Sequence, residues 1–189
     1  MPQRKGAPLV ISSDEGPRAD STVETLARLR PAFAADGTIT AGNSSPLSDG
    51  ASALILADRE WAEHNGLEWL AVVEASGSVT GPDSSLHSQP ADAINRALTR
   101  QDWHVSDLDL VEINEAFAAV AIQSMKDLGL TNDRVNIHGG AIALGHPLGA
   151  SGGRLALLAA HELARRGSGR AAVALCGGGG QGEALLLAR

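Results

Sequence analysis

Three kinds of side chain in this sequence stand where chemistry is possible: an imidazole, a thiol and a carboxamide. His146 lies within residues 138–153, a stretch with six glycines in sixteen residues. Glycine loses more conformational freedom on ordering than any other residue, so this density predicts unusual backbone angles or close backbone approach. Pro147 restricts its own φ and the conformation of His146 before it. The stretch reads as a short strand (Val135-Asn136-Ile137), a glycine loop presenting an imidazole, and a helix from about Ser151 to Arg166. An imidazole on a rigid loop suits acid–base or hydrogen-bond catalysis near neutral pH. The plain alternative is a loop histidine that satisfies a nearby carbonyl. Asn114 begins Asn114-Glu115-Ala116-Phe117, where a strand becomes a helix. It is either a ligand-facing amide or a helix N-cap. Cys176 closes a strand and precedes Gly177, Gly178, Gly179 and Gly180, whose N–H groups can form an anion nest. A thiol there is expected to have a lowered pKa and to act as base or nucleophile. The alternative is a small buried hydrophobe. Ligands collect at the carboxyl ends of strands in open α/β sheets, so the three groups are expected at one sheet edge.

Two other patterns fail on context. Gly149-Ala150-Ser151-Gly152-Gly153 matches the G-x-S-x-G elbow of serine hydrolases. Loop rather than strand precedes Ser151, and after it come no aspartate and only His161, inside the same helix. Gly177-x-Gly179-x-x-Gly182 matches a dinucleotide fingerprint, yet only seven residues follow it, too few for the helix and strand that motif needs. The histidines and the single cysteine show no metal-ligand spacing.

The elements that must position these groups come from a chain of 189 residues, a length that fits one domain with room for an appendage. With 43% hydrophobic residues but only 3% aromatics, the core must be built from Ala, Leu, Val and Ile. A net charge of −7 argues against nucleic acid as a partner. One cysteine excludes an internal disulfide and fits a reducing compartment. No apolar run has the length of a membrane span, and Met1–Gly6 carries charge without an apolar signal core. These observations predict a soluble, cytoplasmic protein with no membrane contact.

Residues 1–19 are punctuated by Gly and Pro around a strand-like Leu9-Val10-Ile11. Ser21-Thr22-Val23-Glu24 fits a capping box opening a helix to about Arg30, before Pro31. Residues 36–50 form a loop that is either a ligand loop or a connector. The apolar run Ala51–Ala57 predicts a strand buried on both faces. A short helix over 59–65, a strand over 68–76, a helix over 90–100 and a strand over 108–113 follow. A helix over 115–128 ends at Gly129. Strands at 171–175 and 183–188, joined by a glycine turn, should pair antiparallel. Strands alternating with helices predict the α/β class, with a largely parallel sheet apart from that last hairpin.

At these residues the sequence resembles the thiolase family. The carriers are Asn114-Glu115-Ala116-Phe117-Ala118-Ala119, the Gly139–Gly152 stretch with Gly145-His146-Pro147, and Cys176-x-Gly178-Gly179-Gly180-Gln181-Gly182. They stand in the family's order and spacing, and the likeness is greatest to acetyl-CoA acetyltransferases and 3-ketoacyl-CoA thiolases. Asn43-Ser44-Ser45 and Asp49-Gly50-Ala51 resemble the segment that meets the pantetheine arm of coenzyme A, with Ser45 as the binding residue. The resemblance implies a thiolase-like C-terminal domain over 51–189, a five-stranded mixed sheet with helices packed on it. Residues 1–50 would be the tail of the CoA-binding loop region and a linker. It implies a two-step Claisen reaction on coenzyme A thioesters, which are substrates, with no further cofactor and no metal. An acyl group moves to a nucleophilic cysteine; a second thiolate then removes the α-proton of acetyl-CoA, and the enolate attacks the acyl-enzyme. By position Cys176 is the acid/base thiol and His146 donates to the thioester oxygen. Asn114 holds the water that completes this oxyanion hole, and the N–H of Gly178 belongs to the second hole.

One departure is large. Thiolases are about twice this length, in two similar halves, and the nucleophilic cysteine lies in the first. Cys176 matches the second-half motif, so the nucleophile is missing. The expectation is half of a thiolase, a truncation or one subunit of a split enzyme. It would be inactive alone and oligomeric with the N-terminal half or with further copies. The alternative is a non-catalytic thiolase-like CoA-binding or interaction module. Smaller departures are His138, where many relatives carry Asn, Leu86-His87, where many have Met-Gly, and Gly177, beside the thiol in place of a common Ile.

Overall fold

Alternation of apolar side chains along three consecutive strands fixes the layers of the molecule, a computed structural model that describes residues 1–189. On β2 (Leu110–Ile113), Val111 and Ile113 join one core cluster while Leu110 joins another. On β3 (Arg170–Gly177), Ala172 and Ala174 face the first cluster, and Ala171 and Val173 the second. On β4 (Gln181–Ala188), Ala184 and Leu186 oppose Leu187 in the same way. Successive side chains of a strand point to opposite faces, so each face is covered. The first face carries α3 (Gln89–Gln101) and α4 (Ala118–Leu128), through Ile94, Ala97, Leu98, Val120 and Leu128. The second carries α6 (Ser151–Arg166), through Leu155, Ala159 and Leu163.

With β1 (Val72–Thr80) the sheet has the order β1-β4-β3-β2. Only β2 and β3 are parallel; β4 is antiparallel to both β1 and β3. The sheet is therefore mixed, with four strands rather than five, and not largely parallel. The missing strand is Ala51–Ala57, which forms no ladder and whose Ile55 is 98% exposed. An apolar run signals burial but not the partner that supplies it, and no strand of residues 1–189 pairs with this one. Leu9–Ile11 likewise forms no strand, and Val135 contributes only an isolated bridge to Val111. The early helix shrinks to α1 (Val23–Leu26), capped by Thr22 and Thr25 rather than through Glu24. The next helix is α2 (Arg59–His64). Helix α4 starts at Ala118, not at 115, because the three residues before it take part in tertiary contacts described below. No helix is long and apolar enough to cross a membrane.

Candidate active site

Asn114 continues β2 by one residue, its N–H donating to the carbonyl of Ala174 at 2.9 Å. Its side chain is fully buried, and Nδ2 lies 3.2 Å from Nε2 of His146. Asn114 is therefore not a helix cap; Phe117 occupies the N-cap position of α4 without a side-chain bond. On the other side of the imidazole, Nδ1 is 2.6 Å from Oγ of Ser151, which also reaches the carbonyl of Pro147 at 3.1 Å. The ring is thus held at both nitrogens. Burial, reinforced by the positive charge of Arg154, holds its pKa below the usual imidazole value, so it is neutral at pH 7. A neutral imidazole carries one proton: the Ser151 hydroxyl donates its own to the Pro147 carbonyl, so its oxygen accepts from Nδ1–H while Nε2 accepts from the Asn114 amide.

The loop that presents this ring runs from α5 (Ala141–Leu144) through Gly145 and Pro147 to α6. Gly145 has φ 97°, and a Cβ there would overlap the Ser48 side chain, so both backbone angle and space demand glycine. Residues 44–48 thread between the two motifs. Ser44 bridges Phe117, Leu47 bridges His146, and the His146 N–H donates to Pro46 at 3.2 Å. The N–H and hydroxyl of Ser45 both donate to the Ala116 carbonyl, at 3.1 and 3.2 Å. Ser45 therefore fixes the loop through its hydroxyl. The residues just beyond it, Leu47, Ser48 and Asp49, line an open cavity of about 350 Å³ together with His146 and Leu148. The end of the 36–50 loop thus forms one wall of the cavity beside His146.

Cys176 lies near the end of β3, opposite Gly182 of β4, partly buried against the core cluster of the α3–α4 face. Burial pushes its pKa up, with a backbone hydrogen bond offsetting only part of the effect. This reverses the expected lowering: the glycines after it form a turn, with Gly179 and Gly180 at positive φ, and their N–H groups do not outweigh desolvation. Gly178, at the apex, faces open space. Asn114 and Cys176 sit at the same end of neighbouring strands, since Asn114 pairs with Ala174. No hydrogen bond joins the thiol to Asn114 or His146. The structure therefore brings Asn114 and His146 together and leaves Cys176 on the adjacent strand end.

Two residues matter that sequence reasoning passed over. Ser151 was singled out only as a failed hydrolase elbow; its i−5 relation to His146 across Pro147 was the available signal. Glu115 accepts from Asn136 Nδ2 at 3.0 Å and from the Ile142 N–H at 3.1 Å, contacts that span loops and carry no local signature. His138, at the family departure, instead contacts the buried carboxylate of Glu162 at 3.2 Å.

Residues 67–189 match the family model described as "Thiolase, C-terminal domain", and residues 1–60 match "Thiolase, N-terminal domain". The chain belongs to the thiolase family. The match to both domain models means that more than the C-terminal domain is represented. Over 189 residues the chain is 60% identical to a probable acetyl-CoA acetyltransferase of Mycolicibacterium smegmatis, covering 100% of this chain and 49% of that protein. The crystal structure of the Bacillus anthracis acetyl-CoA acetyltransferase superposes with a TM-score of 0.91 at 42% identity, over 98% of this chain and 47% of that one. Human mitochondrial 3-ketoacyl-CoA thiolase in complex with CoA superposes with a TM-score of 0.88 at 41% identity, over 94% of this chain and 45% of that one. The chain thus spans about half the length of the relatives it matches.

Proposed function

We propose that this chain supplies the enolate-forming part of an acetyl-CoA acetyltransferase site, acting on coenzyme A thioesters with a thiolase N-terminal half that brings the nucleophilic cysteine. The observation that carries the reading is the Asn114–His146 pair at 3.2 Å, the amide buried and the imidazole half-buried, beside a cavity walled by Leu47, Ser48 and Asp49. Fixed donors placed where negative charge develops are the largest single catalytic contribution in reactions of this kind. For Nε2 to donate to a thioester oxygen as it becomes an enolate, the Ser151 hydroxyl turns from the Pro147 carbonyl to Nδ1, the imidazole proton moves to Nε2, and the Asn114 amide turns from the ring to the same oxygen. Cys176 takes the α-proton of acetyl-CoA. Its raised pKa keeps it protonated at rest; that proton passes to the coenzyme A thiolate released when the other half's cysteine is acylated, and the Cys176 thiolate so formed is the base. The enolate carbon then attacks the acyl-cysteine of the other half, forming the new C–C bond and releasing that cysteine as thiolate. The exposed Leu54, Ile55 and Leu56 support a partner surface of this kind.

The test combines this chain with an N-terminal thiolase half. With Cys176→Ser, labelled acetyl groups should still load onto the partner's cysteine, while condensation falls by orders of magnitude because a serine hydroxyl is too weak an acid to supply the base near pH 7. His146→Ala should slow condensation about 10²-fold. Loss of acetyl loading in Cys176→Ser would make Cys176 the nucleophile and overturn the assignment.

A further inference from the structure

Asn114 contacts the imidazole directly; its neighbour Glu115 is tied to the loop that carries the imidazole. Asn136 takes a left-handed backbone conformation, φ 50°, uncommon outside glycine. Its side chain closes a two-point bond on Ile113, Oδ1 accepting from the N–H at 2.8 Å and Nδ2 donating to the carbonyl at 2.9 Å. The same Nδ2 donates to Glu115 Oε1 at 3.0 Å, and Glu115 Oε2 accepts from the N–H of Ile142 at 3.1 Å. The carboxylate also occupies the space a Cβ on Gly140 would need. One side chain therefore couples the end of β2 to the first turn of α5, four residues before His146.

We propose that Glu115 is a positioning residue that sets the His146 imidazole against Asn114 by clamping the start of its loop. The inference rests on the reading of Asn114 and His146 as the oxyanion-hole pair. In the clamped loop the imidazole holds one tautomer between Ser151 and Asn114. Without the carboxylate the Ile142 N–H loses its acceptor, the loop shifts, and the ring exchanges between tautomers.

The test reads the two ring-nitrogen resonances of His146 in the ¹⁵N-labelled chain at pH 7.5, assigned by their disappearance in His146→Gln. The wild type should show two well-separated resonances. Glu115→Ala should draw them together toward free-imidazole averages, and Glu115→Gln, which keeps one accepting oxygen, should do so partially, with far-UV circular dichroism unchanged. Should the alanine variant fail to fold, the glutamine variant carries the comparison. Unchanged resonances in folded Glu115→Gln would overturn the proposal. The same variants, combined with the N-terminal half, should slow deuterium exchange into acetyl-CoA by roughly 10- to 100-fold with KM little altered, the usual scale for displacing a reacting group by about an ångström. Converged resonances with undiminished exchange would uphold the positioning role and refute the enolate role of His146.

Discussion

Replacing Glu112 by glutamine should remove a pH-dependent destabilisation that the fold carries on β2. Glu112 is fully buried, and neither carboxylate oxygen has a hydrogen-bond partner. Burial pushes its pKa up to about 7, against the pull of the Arg154 guanidinium, with the Glu115 carboxylate adding to the rise. From the usual 4.5 this is about two and a half decades of acidity, or roughly 3–4 kcal/mol at about 1.4 kcal/mol per decade. The sign follows from proton counts. Between pH 4.5 and 7 the unfolded chain has released this proton while the native chain still holds it, so native stability falls as pH rises through that window. Above it both states are ionised and the cost is constant; below it both are protonated and the cost vanishes. Glutamine keeps the shape and never ionises. Urea unfolding of wild type and Glu112→Gln, followed by circular dichroism at about pH 4.5 and 8.5, isolates this group, because every other titration is common to both proteins. Glu112→Gln should gain about 3 kcal/mol relative to wild type between the two pH values. Parallel profiles would refute the reasoning. A wild type that gains on the variant as pH rises would show that ionised Glu112 pairs productively with Arg154.

Three further outcomes follow from contacts at the site. Ser151→Ala removes the 2.6 Å partner of Nδ1 and should lower the exchange rate of the combined enzyme about tenfold, with KM little changed. Iodoacetamide should alkylate Cys176 in the folded chain at pH 7.5 more than tenfold more slowly than in urea, since burial keeps the thiol protonated and covered; fast reaction in the folded chain would contradict the placement. Gly140→Ala drives a methyl group into the Glu115 carboxylate and should cost about 1–3 kcal/mol in urea unfolding.

Much of the fold was legible because it rests on local chemistry. Gly167 at φ 81° ends α6 and Gly129 at φ 66° ends α4, as C-terminal glycines do. The glycine turn after Cys176 pairs β3 with β4 as an antiparallel hairpin. The run Ala51–Ala57 was misleading, because hydrophobicity records that a surface is covered and not what covers it. Of the candidate site, the proximity of Asn114 and His146 matches the expectation that they gather at one sheet edge. What holds them was not legible. Ser151 and Glu115 act through bonds set by loop geometry, and the acidity of Cys176 depends on burial that no local pattern reports. A glycine run suggested an anion nest; desolvation proved the larger effect.

We infer that the chemistry of this chain is one part of a site completed by a second. Thiolysis of acetoacetyl-CoA by coenzyme A, measured for the purified chain alone and after mixing with a thiolase N-terminal half, tests it directly. The chain alone should be inactive, the mixture should turn over, and His146→Ala should depress the mixture about 10²-fold. Turnover by the pure chain alone, or full activity of the mixture with His146→Ala, would contradict the claim.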